Sequence, residues 1–469
     1  ILNGRLVSPF DGDAGADARA AEAGASTAGA STTGAPGSGA SSSGSLGSSG
    51  SSASDLGVTD LHIADGRIVA IGTAPAGFEP AERIDARGLV VAPGLVDLSA
   101  RLREPGYEYR ATLESEMLAA LAGGVTSLSC PPDTDPPLDE PGLIEMLKYR
   151  TRGAMFARLY PLGALTVGLD GEIITEMAEL YEAGCIGFSQ GSRPILDVQV
   201  LLRALQYAKT FGYTIWLQPE DPHLARGGVA HSGPVASRLG LSGVPVIAET
   251  VALHTIFELV RTTGARVHLC RLSSAAGLEL VRQAKHQGLP VTCDVAVHHL
   301  HLIDVDIGFF DSNLRVNPPF RSQRDSDAIR AALLDGTIDA ICSDHTPVDD
   351  DAKILPFAEA EPGVTALELL LPLTLKWAEE AGVPLARALA MVSSRPAAIL
   401  GVDAGRLAVG APADLCLIDT AANWIVSTDQ LRSQGKHTPF LGHELAVRNR
   451  MSIVDGKVVY PQAQDAVAR

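Results

Sequence analysis

Side chains at i and i+2 leave an extended strand on the same side and can close on one divalent ion. His299 and His301 have that spacing, and His298 stands beside them. We read these rings as hydrogen-bonding groups at the end of an apolar strand, because imidazoles in such places are more often satisfied locally than metallated. His268 reads as a packed strand histidine. His345 follows Asp344, so on extended backbone its ring points away from that carboxylate and is structural. Cys293 and Cys342 lie in apolar runs with no activating base nearby and read as small buried residues. The glycines near the start have neither a GxxxxGK context nor a strand–GxGxxG–helix context, so no nucleotide site is inferred.

The elements that must carry chemistry lie in the centre of the chain. Strand-like apolar runs end near Leu98, Ser129, Ala164, Phe188, Leu217, Cys270, Val295 and Cys342. Amphipathic stretches between them, such as Val198 to Phe211, Val251 to Thr263 and Ala275 to Gln287, repeat apolar residues at helical spacing. Eight strand–helix units suit a (β/α)8 barrel, although periodicity alone leaves a doubly wound sheet open. Asn3-Gly4, Asp65-Gly66 and Asp455-Gly456 are hairpin-turn dipeptides beside short apolar strands. Two are near the start and one near the end, so both chain ends are expected in one small β-domain: residues 1–10, 56–92 and 400–469, around a barrel at 93–399. Residues 11–55 are rich in Ser, Gly and Ala and hold too little apolar surface to offset ordering entropy. They are expected to form a disordered surface loop.

The formal net charge of −18 argues against nucleic acid or an anionic membrane as partner, since those are held by clustered Lys and Arg. Six dispersed cysteines without a CxxC pair fit reduced thiols in the cytoplasm. No signal peptide is readable in the residues given, and the most apolar stretch, Leu367 to Leu375, holds Glu368 and Pro372 and is too short to span a bilayer. It reads as a buried helix.

Functional residues of such a barrel sit where its strands end at the C-terminal face. The segment from Ala92 to Gly106, APGLVDLSARLREPG, resembles the first barrel strand of dihydroorotases in the amidohydrolase superfamily, which reads PGxxDxHxHLREPG. Further matches are Gly123-Gly124-Val125-Thr126, Asn313-Leu314-Arg315-Val316-Asn317-Pro318-Pro319, Ser343-Asp344-His345-Thr346-Pro347, Thr438-Pro439-Phe440 and Val454-Asp455-Gly456. They cover nearly the whole chain, and hydantoinases and allantoinases lack the full set. The resemblance implies the amidohydrolase-type TIM barrel.

It also implies a zinc site, since active relatives use zinc to polarise a ring amide and generate hydroxide. Here the two histidines of HxH are replaced by Ser99 and Arg101. The bridging lysine or Asp-Asp pair after the fourth strand is replaced by Gln190 and Gly191. The histidine after the fifth strand is Gln218, and the one after the sixth is Arg271. Only Asp344, after the eighth strand, keeps its type, as a vestigial general base. One carboxylate cannot hold zinc tightly, so no metal or other cofactor is expected. Arg103 and Asn317 match positions that bind the substrate carboxylate. Asp133 stands where an asparagine is expected and sets one anion against another, and Val348 replaces a histidine. The family also carries a histidine pair matching His298 and His299, without a ligand role.

Two fates for the arginines are open. Arg101 and Arg271 could form a cluster with Asp344 in place of the lost metal charge, or simply reach solvent at the barrel mouth. The resemblance is nearest to non-catalytic dihydroorotase-like subunits, which assemble with aspartate carbamoyltransferase in pyrimidine biosynthesis and hold it in an active hetero-oligomer. The alternatives are an active dihydroorotase or related cyclic-amide hydrolase with an atypical site, and a stand-alone scaffold.

Overall fold

The computed structural model describes residues 1–9, 55–152 and 156–461. The expected disordered tract lies outside the described residues, except Asp55. That residue belongs instead to a strand, Asp55–Thr59, whose pairing with Gly4–Val7 aligns Val7 with Asp55.

Eight parallel strands form the barrel: β1 (Leu95–Asp97), β2 (Val125–Cys130), β3 (Arg158–Pro161, continued by Gly163–Ala164), β4 (Phe188–Ser189), β5 (Thr214–Leu217), β6 (Arg266–Leu269), β7 (Val291–Ala296) and β8 (Ala340–Cys342). The third strand bridges two runs of the ring. Its first part pairs with β2 and its continuation with β4. The ring closes just past β1 and β8, where the Arg101 amide donates to the His345 carbonyl (2.8 Å) and the His345 amide to the Ser99 carbonyl (3.1 Å). Closure therefore aligns the first and last strand ends, the two that carry Ser99, Arg101 and Asp344.

The barrel interior is packed rather than hollow. Val96, Leu98, Leu162, Trp216, Ala296 and Ala340 fill it. Outside run α1 (Leu113–Ala122), α2 (Pro141–Arg150), α3 (Met177–Ala183), α4 (Val198–Phe211), α5 (Val246–Thr263), α6 (Ala275–His286), α7 (Gln323–Asp335) and α8 (Leu370–Ala381). Their limits follow local chemistry. Helix α4 begins where the Asp197 carboxylate accepts the Gln199 amide (2.8 Å) and stops at Gly212, whose φ of +74° suits glycine. It buries Val200, Leu201, Ala204, Leu205 and Ala208, one stripe at helical spacing. Helix α5 starts five residues before the expected Val251, since Pro245 precedes a first turn that was too apolar to show periodicity. Leu367 to Leu375 is buried and helical, as expected. No described helix is long and apolar enough to cross a membrane.

A six-stranded sheet beside the barrel joins both chain ends. Its order is Lys457–Tyr460, Glu444–Val454, Leu415–Ile425, Val90–Pro93, Gly4–Val7 and Asp55–Thr59. Asp65-Gly66 and Asp455-Gly456 turn their hairpins with both residues at positive φ, the conformation that two-residue turns require. Asn3-Gly4 does not turn a hairpin. Gly4 is the first residue of a strand, and a Cβ there would meet Val91 Cγ2 at 2.5 Å, so close packing demands the glycine.

Candidate functional site at the barrel mouth

Three non-glycine residues at the mouth, Arg103, Arg271 and Asp344, have φ of +63°, +56° and +49°. Such backbone costs about 1–3 kcal/mol each and persists only where the surroundings impose it. The imposing contacts are buried. The Arg271 amide donates to Asp294 Oδ1 (2.6 Å), and the other oxygen of Asp294 meets His268 Nε2 (3.0 Å), whose Nδ1 meets Thr292 (2.8 Å). On the far side, Asp97 accepts the Ser343 amide (2.8 Å) and hydroxyl (2.5 Å), fixing the residue before Asp344. Burial pushes the Asp97 carboxyl up to about 7, against the two Ser343 bonds. His268 is thus a packed strand histidine that positions Arg271 through Asp294.

The side chains so aimed converge on one carboxylate. Asp344 Oδ1 lies 3.0 Å from Arg271 Nη1, 3.4 Å from Arg101 Nη1 and 3.5 Å from Ser99 Oγ. Arg101 also donates through Nε to Asp133 (2.8 Å) and through Nη1 to Thr346 Oγ1 (3.0 Å). Ser192 Oγ accepts from both arginines, at 3.0 Å from Arg101 and 3.3 Å from Arg271. Arg271 is 4% and Arg101 8% exposed, which rules out solvent-reaching arginines in favour of the cluster. Burial opposes the Arg271 charge, but Asp344 together with the other acidic groups around it, Asp294 among them, outweighs burial and raises the guanidinium pKa.

Asp133 departs from the expectation. Burial raises its carboxyl, yet Arg101, Arg103 and Arg271 together hold it below the usual range. It is the partner of Arg101 rather than a repelled anion. Sequence reasoning missed Ser192 altogether and gave Thr346 no role beyond its place in the motif. The signal for Asp133 was present: a cation gained at position 101 and an anion gained on the neighbouring strand compensate each other.

Of the other degenerate ligand positions, Gln218 joins the cluster through Arg271, whereas Gln190 and Gly191 do not. Gln190 turns into the loop after β3, accepting from Thr166 Oγ1 (3.0 Å) and donating to the Leu169 carbonyl (2.9 Å). Gly191, at φ +61°, backs onto Asp133. Gln218 accepts from Arg271 Nη2. A zinc site needs about three neutral or anionic donors, whereas guanidinium groups offer only N–H and positive charge. These residues do not fit a zinc ion. Among the described residues, no group of three His, Cys, Asp or Glu side chains is placed to hold a metal.

Above the cluster a cavity of about 470 Å³ opens between the strand-end loops. Arg101, Arg103, Asn317, Asp133 and Asp344 line it, with Tyr107, Arg110, Arg193 and Glu361 at its sides. Arg103 is buried, donates through Nε to the Pro347 carbonyl (2.8 Å), and is pushed down to about 10 by burial and by Arg101. Val348 is buried and does not line the cavity. The arginines and Asn317 of this lining could hold a small anion.

The histidine trio lies outside this site. Val297–Leu300 is a 3-10 turn rather than strand, so His299 and His301 lose the shared side that alternation would give them. His301 bonds the Leu373 carbonyl (2.9 Å) as expected. His298 does not: neither ring nitrogen has a hydrogen-bond partner among the described residues, and the ring packs against His299 (4.8 Å) and Phe320 (5.5 Å). Burial drives both rings down to about 3, so they are neutral. His345 points away from Asp344 as expected. Its Nδ1 accepts the Ala366 amide (3.1 Å), so Nε2 carries the proton and donates to Glu116 (2.5 Å). Cys293 and Cys342 are fully buried, and burial raises both thiols.

A closed eight-stranded barrel, flanked by a β-sheet and carrying its polar residues at the strand ends, defines the amidohydrolase class of protein. An amidohydrolase family model matches residues 244–459, and a dihydro-orotase-like model matches residues 88–276. The L-hydantoinase of Arthrobacter aurescens superposes with a TM-score of 0.77 at 25% identity, over 86% of this chain and 93% of that one. The chain is 48% identical over 395 residues to a dihydroorotase-like protein of Pseudomonas aeruginosa, covering 84% of this chain and 93% of that protein. It is also 40% identical over 395 residues, with the same coverage, to a dihydroorotase of a Geobacter species. The chain belongs to the dihydroorotase-like family of amidohydrolases.

Proposed function

We propose that this chain is a non-catalytic dihydroorotase-like subunit of de novo pyrimidine biosynthesis, supporting the assembly and activity of aspartate carbamoyltransferase in a cytoplasmic hetero-oligomer. One observation carries the reading. Arg101 and Arg271 place guanidinium groups against Asp344, the single surviving carboxylate among the ligand positions, so the charge a metal would bring is already supplied by the protein. A barrel kept after its metal site is lost remains useful through its outer surface. All six cysteines are free, as in a reducing compartment.

The test is co-expression with the carbamoyltransferase of the same organism. The expected result is a stable complex larger than either protein, with carbamoyltransferase activity that falls when this chain is removed. A chain that elutes alone and leaves that activity unchanged refutes the role.

A second reading, a cyclic-amide hydrolase interconverting N-carbamoyl-aspartate and dihydroorotate, draws on the cavity that still exposes Arg103 and Asn317 and on relatives named dihydroorotase. It requires stoichiometric zinc in the purified protein and turnover abolished by Asp344→Ala.

A further inference from the structure

The loops beyond β7 and β8 raise an apolar tip above the rim of the barrel mouth. Phe309 is 96% exposed and Ile354 78%, and Val305, Phe310 and Leu355 are also exposed. Large apolar side chains clustered in solvent mark interaction sites, whereas isolated ones need no explanation. These are clustered because the two loops are tied together. Lys353 Nζ donates to the carbonyls of Ser312 (2.9 Å) and Arg315 (3.0 Å), and Ser312 Oγ donates back to the Lys353 carbonyl.

The tip is also held in one shape. Asp306 accepts the Ile303 amide (2.8 Å), Asp311 accepts the Asn313 amide (2.9 Å), and the Asp304 amide donates to the Arg321 carbonyl (2.8 Å). Phe310 adopts φ +65°, which is uncommon for an aromatic residue, and its ring meets Phe309 edge-on at 6.0 Å. A preformed aromatic projection loses little freedom on docking.

Charge selects what it docks into. Asp306, Asp311, Asp350 and Asp351 are exposed around the tip. The three Lys and Arg cations of these loops turn inward: Lys353 is buried on its two carbonyls, Arg321 is buried, and Arg315 is partly buried. Among the described residues, Asp350 meets His437 Nε2 at 2.9 Å, and Asp311 lies within the field of the inward-turned Lys353. A second copy of this chain would bring the same carboxylates and another net charge of −18, so self-association through this face is electrostatically opposed.

We infer that the Phe309–Phe310 tip is a docking projection for a different protein subunit, one that presents an apolar cleft edged by Lys and Arg. This rests on the reading of the chain as a subunit and specifies the face it uses.

The test uses the full chain and purified aspartate carbamoyltransferase, with binding measured at low and high salt. Phe309→Ser/Phe310→Ser should keep the melting temperature, since the tip faces solvent, and bind roughly tenfold more weakly or worse. Asp306→Lys/Asp351→Lys should also weaken binding and flatten its salt dependence. Failure of the wild-type chain to bind sinks the subunit reading and this one with it. Binding by the wild type with equal binding by both variants sinks this inference alone. A wild-type chain that self-associates through the tip, lost in the serine variant, overturns the choice of occupant.

Discussion

At the scale of single residues, the mouth behaves as a salt-bridge cluster, and its energetics follow from burial. Arg271 and Asp344 are each about 95% buried and 3.0 Å apart, so removing one leaves the other as an under-compensated charge in a medium of low polarity. Arg271→Ala should therefore lower stability by about 3 kcal/mol, softened from the full cost of an orphaned charge by Arg101 at 3.4 Å. The urea-unfolding midpoint reads this directly, and an unchanged midpoint removes the cluster from the account. The double variant Arg271→Met/Asp344→Leu takes out both charges and should recover most of the loss, because apolar replacements of a buried pair are often neutral. The positions of this cluster were legible in the sequence, since each follows a strand end within a recognisable motif. The contacts of Ser192 were not: they depend on how far its loop leans over the next strand, which no local pattern encodes.

At the scale of elements, Glu116 on α1 joins three parts of the fold. Its carboxylate accepts from His345 beyond β8 (2.5 Å), from Ser433 Oγ (2.7 Å) and from the Gln434 amide (3.0 Å). Burial pushes this carboxyl up, but His345 and the Ser433 and Ser115 hydroxyls outweigh it and hold the pKa below the ordinary value of 4.5. A depressed carboxyl contributes stability that is fully present above the unfolded-state value and is lost as pH falls through the folded-state one. Glu116→Gln should thus be less stable at pH 7 by about 2 kcal/mol. The gap between its melting temperatures at neutral and acidic pH should be narrower than in the wild type. An equal gap would assign the acid response to other carboxylates. Elements of this kind were only partly readable. Hairpins at Asp65-Gly66 and Asp455-Gly456 announce themselves because two-residue turns demand positive φ. The His298–His301 segment misled because a 3-10 turn and a strand end share the same composition, and only the turn destroys the i, i+2 alignment.

At the scale of the whole molecule, the two chain ends are stitched into one sheet whose strands Gly4–Val7 and Asp55–Thr59 are adjacent and antiparallel. Antiparallel neighbours can be joined by a few residues, yet here the connection runs through the Ser-, Gly- and Ala-rich residues 10–54. Closing a long connection costs more entropy than closing a short one, and the difference grows only with the logarithm of length. Replacing residues 10–54 with a four-residue Gly/Asn link should therefore leave the fold intact and raise stability by about 2 kcal/mol. Ser8 and Pro9 are retained because both are buried and Ser8 Oγ reaches the Leu407 carbonyl. A melting temperature at or above that of the parent, with unchanged circular dichroism, is the expected outcome. A fall of several degrees would mean that the segment packs on the folded chain, and the composition argument for a passive insertion would then be wrong. The same variant separates fold from assembly: if complex formation with the carbamoyltransferase disappears while the melting temperature holds, the insertion belongs to the interface rather than to the architecture.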